Sequence, residues 1–89
     1  MRTISLQITY RKGKPFAAYI YLAHAPGTKS ARTEQVTPEV LIDYAEDGTP
    51  LGIEVVSPGS VSQAEVAAAF GRLGMEPPSA AELAPLLAA

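Results

Sequence analysis

Apolar and polar positions alternate strictly at the start of the chain, with Ile4, Leu6, Ile8 and Tyr10 interleaved among Thr3, Ser5, Gln7 and Thr9. A period of two marks a β-strand with one buried and one wet face. Arg11-Lys12-Gly13-Lys14-Pro15 then supplies the glycine and proline of a hairpin loop, so the next strand is expected near Phe16. From Phe16 to Ala23 both faces are apolar or aromatic, with Ala18, Ile20 and Leu22 on one side and Ala17, Tyr19 and Tyr21 on the other. Such a strand belongs in the interior of a sheet or beneath a second covering element. His24-Ala25-Pro26-Gly27-Thr28 reads as a turn, and the polar stretch from Lys29 to Val36 as an edge strand bearing Lys29 and Arg32.

Val40, Ile42 and Tyr44 alternate with Leu41 and Asp43, and Leu51, Ile53 and Val55 alternate with Gly52 and Glu54. Between the two runs stands Glu46-Asp47-Gly48-Thr49, and Asp-Gly between alternating runs is a strong hairpin signal. After Val56 the spacing becomes helical. Ser60 with Gln63, or Ser62 with Glu65, can form a capping box. Val66, Phe70 and Leu73 then fall at i, i+4 and i+7, Gly74 is placed to end the helix, and Pro77-Pro78 prevents its continuation. Ser79 with Glu82 opens a short helical tail in which Pro85 removes a backbone donor. Its leucines, Leu83, Leu86 and Leu87, either finish the domain's own core or reach a partner. The expectation is a single α+β domain over residues 1–89. It comprises an antiparallel β-meander of four to five strands over residues 3–57, one C-terminal α-helix over about 61–73, and a short helical tail over about 79–88.

Composition narrows the class of protein. At 89 residues the chain is long enough for one modest core, and 47% apolar against 18% charged residues places it among folded globular proteins. The absence of cysteine excludes disulfides, thiolate metal sites and a cysteine nucleophile. No apolar run approaches the length of about 18 residues that a membrane helix needs, so a cytoplasmic location without membrane contact is expected. The formal net charge of −2 conceals an asymmetry. Arg2, Arg11, Lys12, Lys14, Lys29 and Arg32 precede every acid, and all nine acids follow, accompanied only by Arg72.

Tyr19-Ile20-Tyr21-Leu22, Val40-Leu41-Ile42-Asp43-Tyr44, Glu46-Asp47-Gly48 and Leu51-Gly52-Ile53-Glu54-Val55 together resemble a small bacterial family, the domain-of-unknown-function family 2283. The likeness spans about residues 10–58, and it lies in the order and spacing of the blocks. It implies structural roles for Asp43, Tyr44, Gly48, Gly52, Ile53 and Glu54. The chain departs from the family at Phe16, usually acidic, at Tyr21, usually charged, and at Ala45, usually aspartate. Family members are largely uncharacterised. Many resemble the smaller partner in toxin–antitoxin gene pairs, which implies a protein-binding role.

Few residues suggest chemistry. His24 is the lone histidine, set in a Pro/Gly turn without a second ligand or nucleophile nearby in the sequence, and it reads as a solvated turn residue. Asp43, Glu46, Asp47 and Glu54 could gather around a hard cation, but turn chemistry and solubility account for them more simply. Glu54 is expected to pair across strands with Arg32 or Lys29. Arg11, Lys12 and Lys14 form a basic hairpin near tyrosines, the composition of a nucleic-acid surface, although a pI near 5.2 disfavours general nucleic-acid binding. Tyr19 and Tyr21 give the interior strand a second apolar face that one helix cannot also cover. The sequence therefore favours a noncatalytic, cofactor-free module. It is expected to bind a protein partner, or to form a homo-oligomer, through Tyr19, Tyr21, Leu83, Leu86 and Leu87, with nucleic-acid contact through Arg11, Lys12 and Lys14 as the second reading.

Overall fold

The computed structural model describes residues 4–23 and 27–87. The His24 reading and the first three residues of its turn, 24–26, lie outside the described residues. Five strands, β1 (Ile4–Arg11), β2 (Lys14–Leu22), β3 (Arg32–Thr37), β4 (Val40–Tyr44) and β5 (Pro50–Val55), form one antiparallel sheet. A 3₁₀ turn (Pro58–Ser60) and two helices, α1 (Gln63–Arg72) and α2 (Ala80–Leu87), follow. The α+β class, the all-antiparallel sheet and the C-terminal helical part are those expected.

The first hairpin is tighter than the sequence reading. Lys12 and Gly13 both adopt positive φ, 54° and 77°, so the turn closes in two residues and Arg11 already pairs with Lys14. Two left-handed residues match the natural twist of the flanking strands, which is why β2 begins before Phe16. The register shifts between Thr9, opposite Ala17, and Tyr10, opposite Pro15, leaving Phe16 as the extra residue of a bulge. The second hairpin joins β4 to β5. The Ala45 amide donates to the Thr49 carbonyl at 2.8 Å, and Asp47 Oδ1 accepts from the Thr49 amide at 2.9 Å.

The strand order is β1-β2-β5-β4-β3, which departs from a meander that follows the chain. β2 pairs with β5, and the connection after β2 carries the chain to the far edge. Burial gives the reason. β5 has Leu51, Gly52, Ile53 and Val55 buried, whereas β3 bears Arg32 and Glu34 and has no buried residue. A sequential order would put charged β3 in the centre and apolar β5 at an edge, and the observed order avoids both.

The helices cover one face only. Ala18, Ile20 and Leu22 of β2, Val40 and Ile42 of β4, and Ile53 and Val55 of β5 pack under Val66, Ala69 and Phe70 of α1. Ser62, not Ser60, caps α1. Its hydroxyl accepts from the Glu65 amide while the Glu65 carboxylate accepts from the Ser62 amide. At the other end the Met75 amide donates to the Phe70 carbonyl and the Gly74 amide to that of Gly71, a Schellman closure with Gly74 at φ 69°. Ser79 and Glu82 form a second capping box at the start of α2. Leu83 and Leu86 of α2 are 2% and 0% exposed within the domain's own core, which corrects their assignment to a partner surface. Leu87 packs only partly against that core.

Candidate functional site

The face without helices carries the residues of opposite parity. Ser5, Gln7 and Thr9 of β1, Ala17, Tyr19 and Tyr21 of β2, Gly52 and Glu54 of β5, and Leu41 and Asp43 of β4 share it through the sheet register. At its centre the Tyr19 and Tyr21 rings lie 4.7 Å apart at an interplanar angle of 59°, a tilted pair favoured by the ring quadrupoles. The Tyr19 ring also lies over Gly52. A β-carbon there would stand 2.2 Å from Cε2 and 2.5 Å from the phenolic oxygen of Tyr19. Glycine is thus the residue that lets this tyrosine lie down on the sheet.

Hydrogen bonds hold both rings. The Tyr19 hydroxyl donates to Asp43 Oδ2 at 2.9 Å, and Asp43 Oδ1 accepts from the Thr33 hydroxyl at 2.7 Å. The Tyr21 hydroxyl donates to Gln7 Oε1 at 2.7 Å. Burial first, then the hydrogen bond to Asp43 and the charges of Asp43 and Glu54, push the Tyr19 phenol well above its ordinary range. It is therefore a neutral donor at physiological pH. Beside the rings an open depression of about 250 Å³ is lined by Tyr19, Tyr21, Thr28, Ser30 and Leu51. Tyr21 is 41% exposed.

The acids of the second hairpin have separate occupations. Asp43 serves Tyr19 and Thr33, and Asp47 folds back onto the Thr49 amide, which lowers its carboxyl below the usual range. Among the described residues no three His, Asp or Glu side chains gather to hold a metal ion. Glu54 does not pair with Arg32. The register places Glu54 on the open face beside Tyr19, whereas Arg32 lies over the Tyr44 ring at 4.0 Å, and Tyr44 packs in the core on the helical face.

That edge holds a cluster the sequence reading missed. The Tyr44 hydroxyl donates to Glu34 Oε1 at 3.0 Å, and Arg72 of α1 grips the same carboxylate through both Nε and Nη2. The Arg72 guanidinium, then the Tyr44 hydroxyl, hold the Glu34 carboxyl below its usual range, while burial and the bond to Glu34 raise the Tyr44 phenol. The cluster fastens β3 to the end of α1. Thr37 does the same at the other end, its hydroxyl donating to Glu65 Oε2 at 2.9 Å. Of the remaining motif residues, Ile53 is fully buried and Gly48 takes φ 92° in the turn.

The basic hairpin is a separate surface. Arg11, Lys12, Lys14 and Phe16 line an open cleft of about 410 Å³, with the Arg11 guanidinium 5.2 Å from the Phe16 ring centre. Tyr10 and Phe16 are 61% and 52% exposed. The aromatic contribution of Phe16 was hidden in the sequence because the bulge that turns it outward depends on the hairpin register.

No helix among the described residues is long and apolar enough to cross a membrane. No curated protein and no solved structure matches the chain. Residues 17–57, from β2 through the end of β5 and including the tyrosine pair, Gly52 and Asp43, match the family described as "Protein of unknown function (DUF2283)".

Proposed function

We propose that this protein is a noncatalytic protein-interaction module whose partner sits on the helix-free face of the sheet, around Tyr19 and Tyr21. The observation that carries the reading is one-sided packing. Both helices contribute their buried residues to the aliphatic face, and the tyrosine pair stands on the other. Tyrosine is favoured at interface cores because it offers a large apolar ring with a polar tip. Asp43, Gly52 and Gln7 hold the rings before a partner arrives, which reduces an ordering cost of about 0.5–1.5 kcal/mol per side chain. Asp43 and Glu54 make the surface acidic and favour a partner that presents cations. The family's likeness to the smaller members of toxin–antitoxin gene pairs suggests a small toxin in that place.

The test is co-expression with the product of a neighbouring small reading frame, comparing the natural chain with a Tyr19→Ala/Tyr21→Ala variant. Co-purification should be lost while the far-ultraviolet circular dichroism of the variant stays native. Undiminished association of a folded variant would overturn the reading.

A second reading, single-stranded nucleic acid on the basic hairpin, is favoured by one observation: the exposed aromatic Phe16 lines a cleft with three cations. Oligonucleotide anisotropy should then show log K falling with log salt at a slope of about −0.7 per phosphate contact. Replacing Arg11, Lys12 and Lys14 together should abolish binding, and no binding at low salt removes the idea.

A further inference from the structure

The two edges of the sheet are unlike. β3 is protected in the ways that keep sheet edges from pairing: it is six residues long, carries Arg32 and Glu34, and is irregular between Gln35 and Thr37. β1 has almost none of that protection. It is eight residues long, has no proline, bears its only charge at Arg11, its last residue, and is regular from Ile4 to Thr9. Leu6 and Ile8 pack against the core yet stay partly exposed, and an open depression of about 200 Å³ lined by Ser5, Leu6, Ile20, Glu82 and Leu83 runs beside them.

We infer that two copies of this chain pair antiparallel through β1, joining two five-stranded sheets into one. The strand is self-complementary. Centred on Gln7, a two-fold axis normal to the sheet sets Leu6 of one copy opposite Ile8 of the other, and Ser5 opposite Thr9. Apolar positions thus meet on the helical side and polar positions on the open side. The same symmetry places the two Arg11 residues eight residues apart along the ladder, about 27 Å, beyond the Debye length of about 10 Å, so they do not oppose the pairing. Pairing β1 onto β3 of another copy would instead grow an open filament, and the charges and irregularity of β3 disfavour it. The tyrosine face remains uncovered in the dimer, so this inference does not rest on the partner reading above.

The experiment is sedimentation equilibrium of the full chain from about 1 µM to about 1 mM, with hydrogen exchange at both ends of the range. The natural chain should approach the dimer mass, and amides within residues 4–11 should exchange more slowly as concentration rises. Ser5→Lys/Thr9→Lys, at two exposed positions, sets like charges opposite each other twice and should weaken the dimer about tenfold or more. Gln35→Lys on β3 should leave it unchanged. A monomer throughout the range, a dimer indifferent to the β1 substitutions, or one weakened by Gln35→Lys would overturn the inference. None of these results bears on whether a different protein docks on the tyrosine face.

Discussion

A methyl group added at position 52 has no room while Tyr19 keeps its place. The β-carbon of Gly52→Ala would lie 2.2 Å from Tyr19 Cε2 and 2.5 Å from Cζ, far inside contact distance, and Gly52 has no positive φ to add backbone strain. The ring must swing away. That forfeits the Tyr19–Asp43 hydrogen bond, about 1 kcal/mol, and the contact with Tyr21, about 0.5–1.5 kcal/mol. Alanine returns about 0.5–1 kcal/mol because it loses less chain entropy than glycine in a strand. The net expectation is a loss of about 1 kcal/mol, or about 4–8 °C in Tm for a domain of this size. In a Tyr19→Ala background the clash is gone, and the same Gly52→Ala change should stabilise by about 0.5–1 kcal/mol. The sign thus reverses between backgrounds, with a coupling of about 2 kcal/mol. Urea unfolding of the four proteins, followed by far-ultraviolet circular dichroism, measures it. Equal effects in both backgrounds, or stabilisation in the natural one, would refute the seating of Tyr19 on Gly52.

Three further outcomes are expected. The Tyr19 phenol is held protonated above its ordinary value of 10.0, so its contribution to stability is intact below about pH 10 and is lost as pH rises beyond it. Tyr19→Phe should flatten that alkaline decline in urea unfolding, leaving the part due to Tyr44, whose phenol is also raised. Ser62→Ala removes one half of the α1 capping box and should cost about 1 kcal/mol in the same assay; no loss would show that the cap is dispensable. Leu86→Ala should cost about 2–5 kcal/mol and Leu87→Ala clearly less, measured by thermal unfolding, because Leu86 is fully buried and Leu87 only partly packed. Similar values for the two would contradict the docking of α2.

How much of the candidate site was legible follows from the range of the signals. Parity along β2 already separated Tyr19 and Tyr21 from Ala18, Ile20 and Leu22, because side chains on a strand alternate whatever lies beside it. The Tyr19–Asp43 bond was not legible, since it joins residues 24 positions apart through the pairing of β2 with β5 and of β5 with β4. Glu54 and Arg32 looked like a cross-strand pair for the same reason. Only the register puts them on opposite faces, and only the meeting of β3, β4 and α1 assembles Arg32, Tyr44, Glu34 and Arg72 into one cluster.

By itself the sequence determined what depends on a residue and its near neighbours: three strands from alternation and a fourth from its two apolar faces, the turn at Gly48, the Ser79–Glu82 cap, and a helix stopped at Gly74. Tertiary structure alone decided the strand order, the covered face and the fate of the tail leucines. Those are outcomes of competition among distant segments for a single core. Placing β5 beside β2 and charged β3 at the edge leaves the fewest charges to desolvate and the fewest apolar side chains in water, and no local pattern contains that comparison. The same competition drew Leu83 and Leu86 inward and left Tyr19 and Tyr21 on the uncovered face of the sheet.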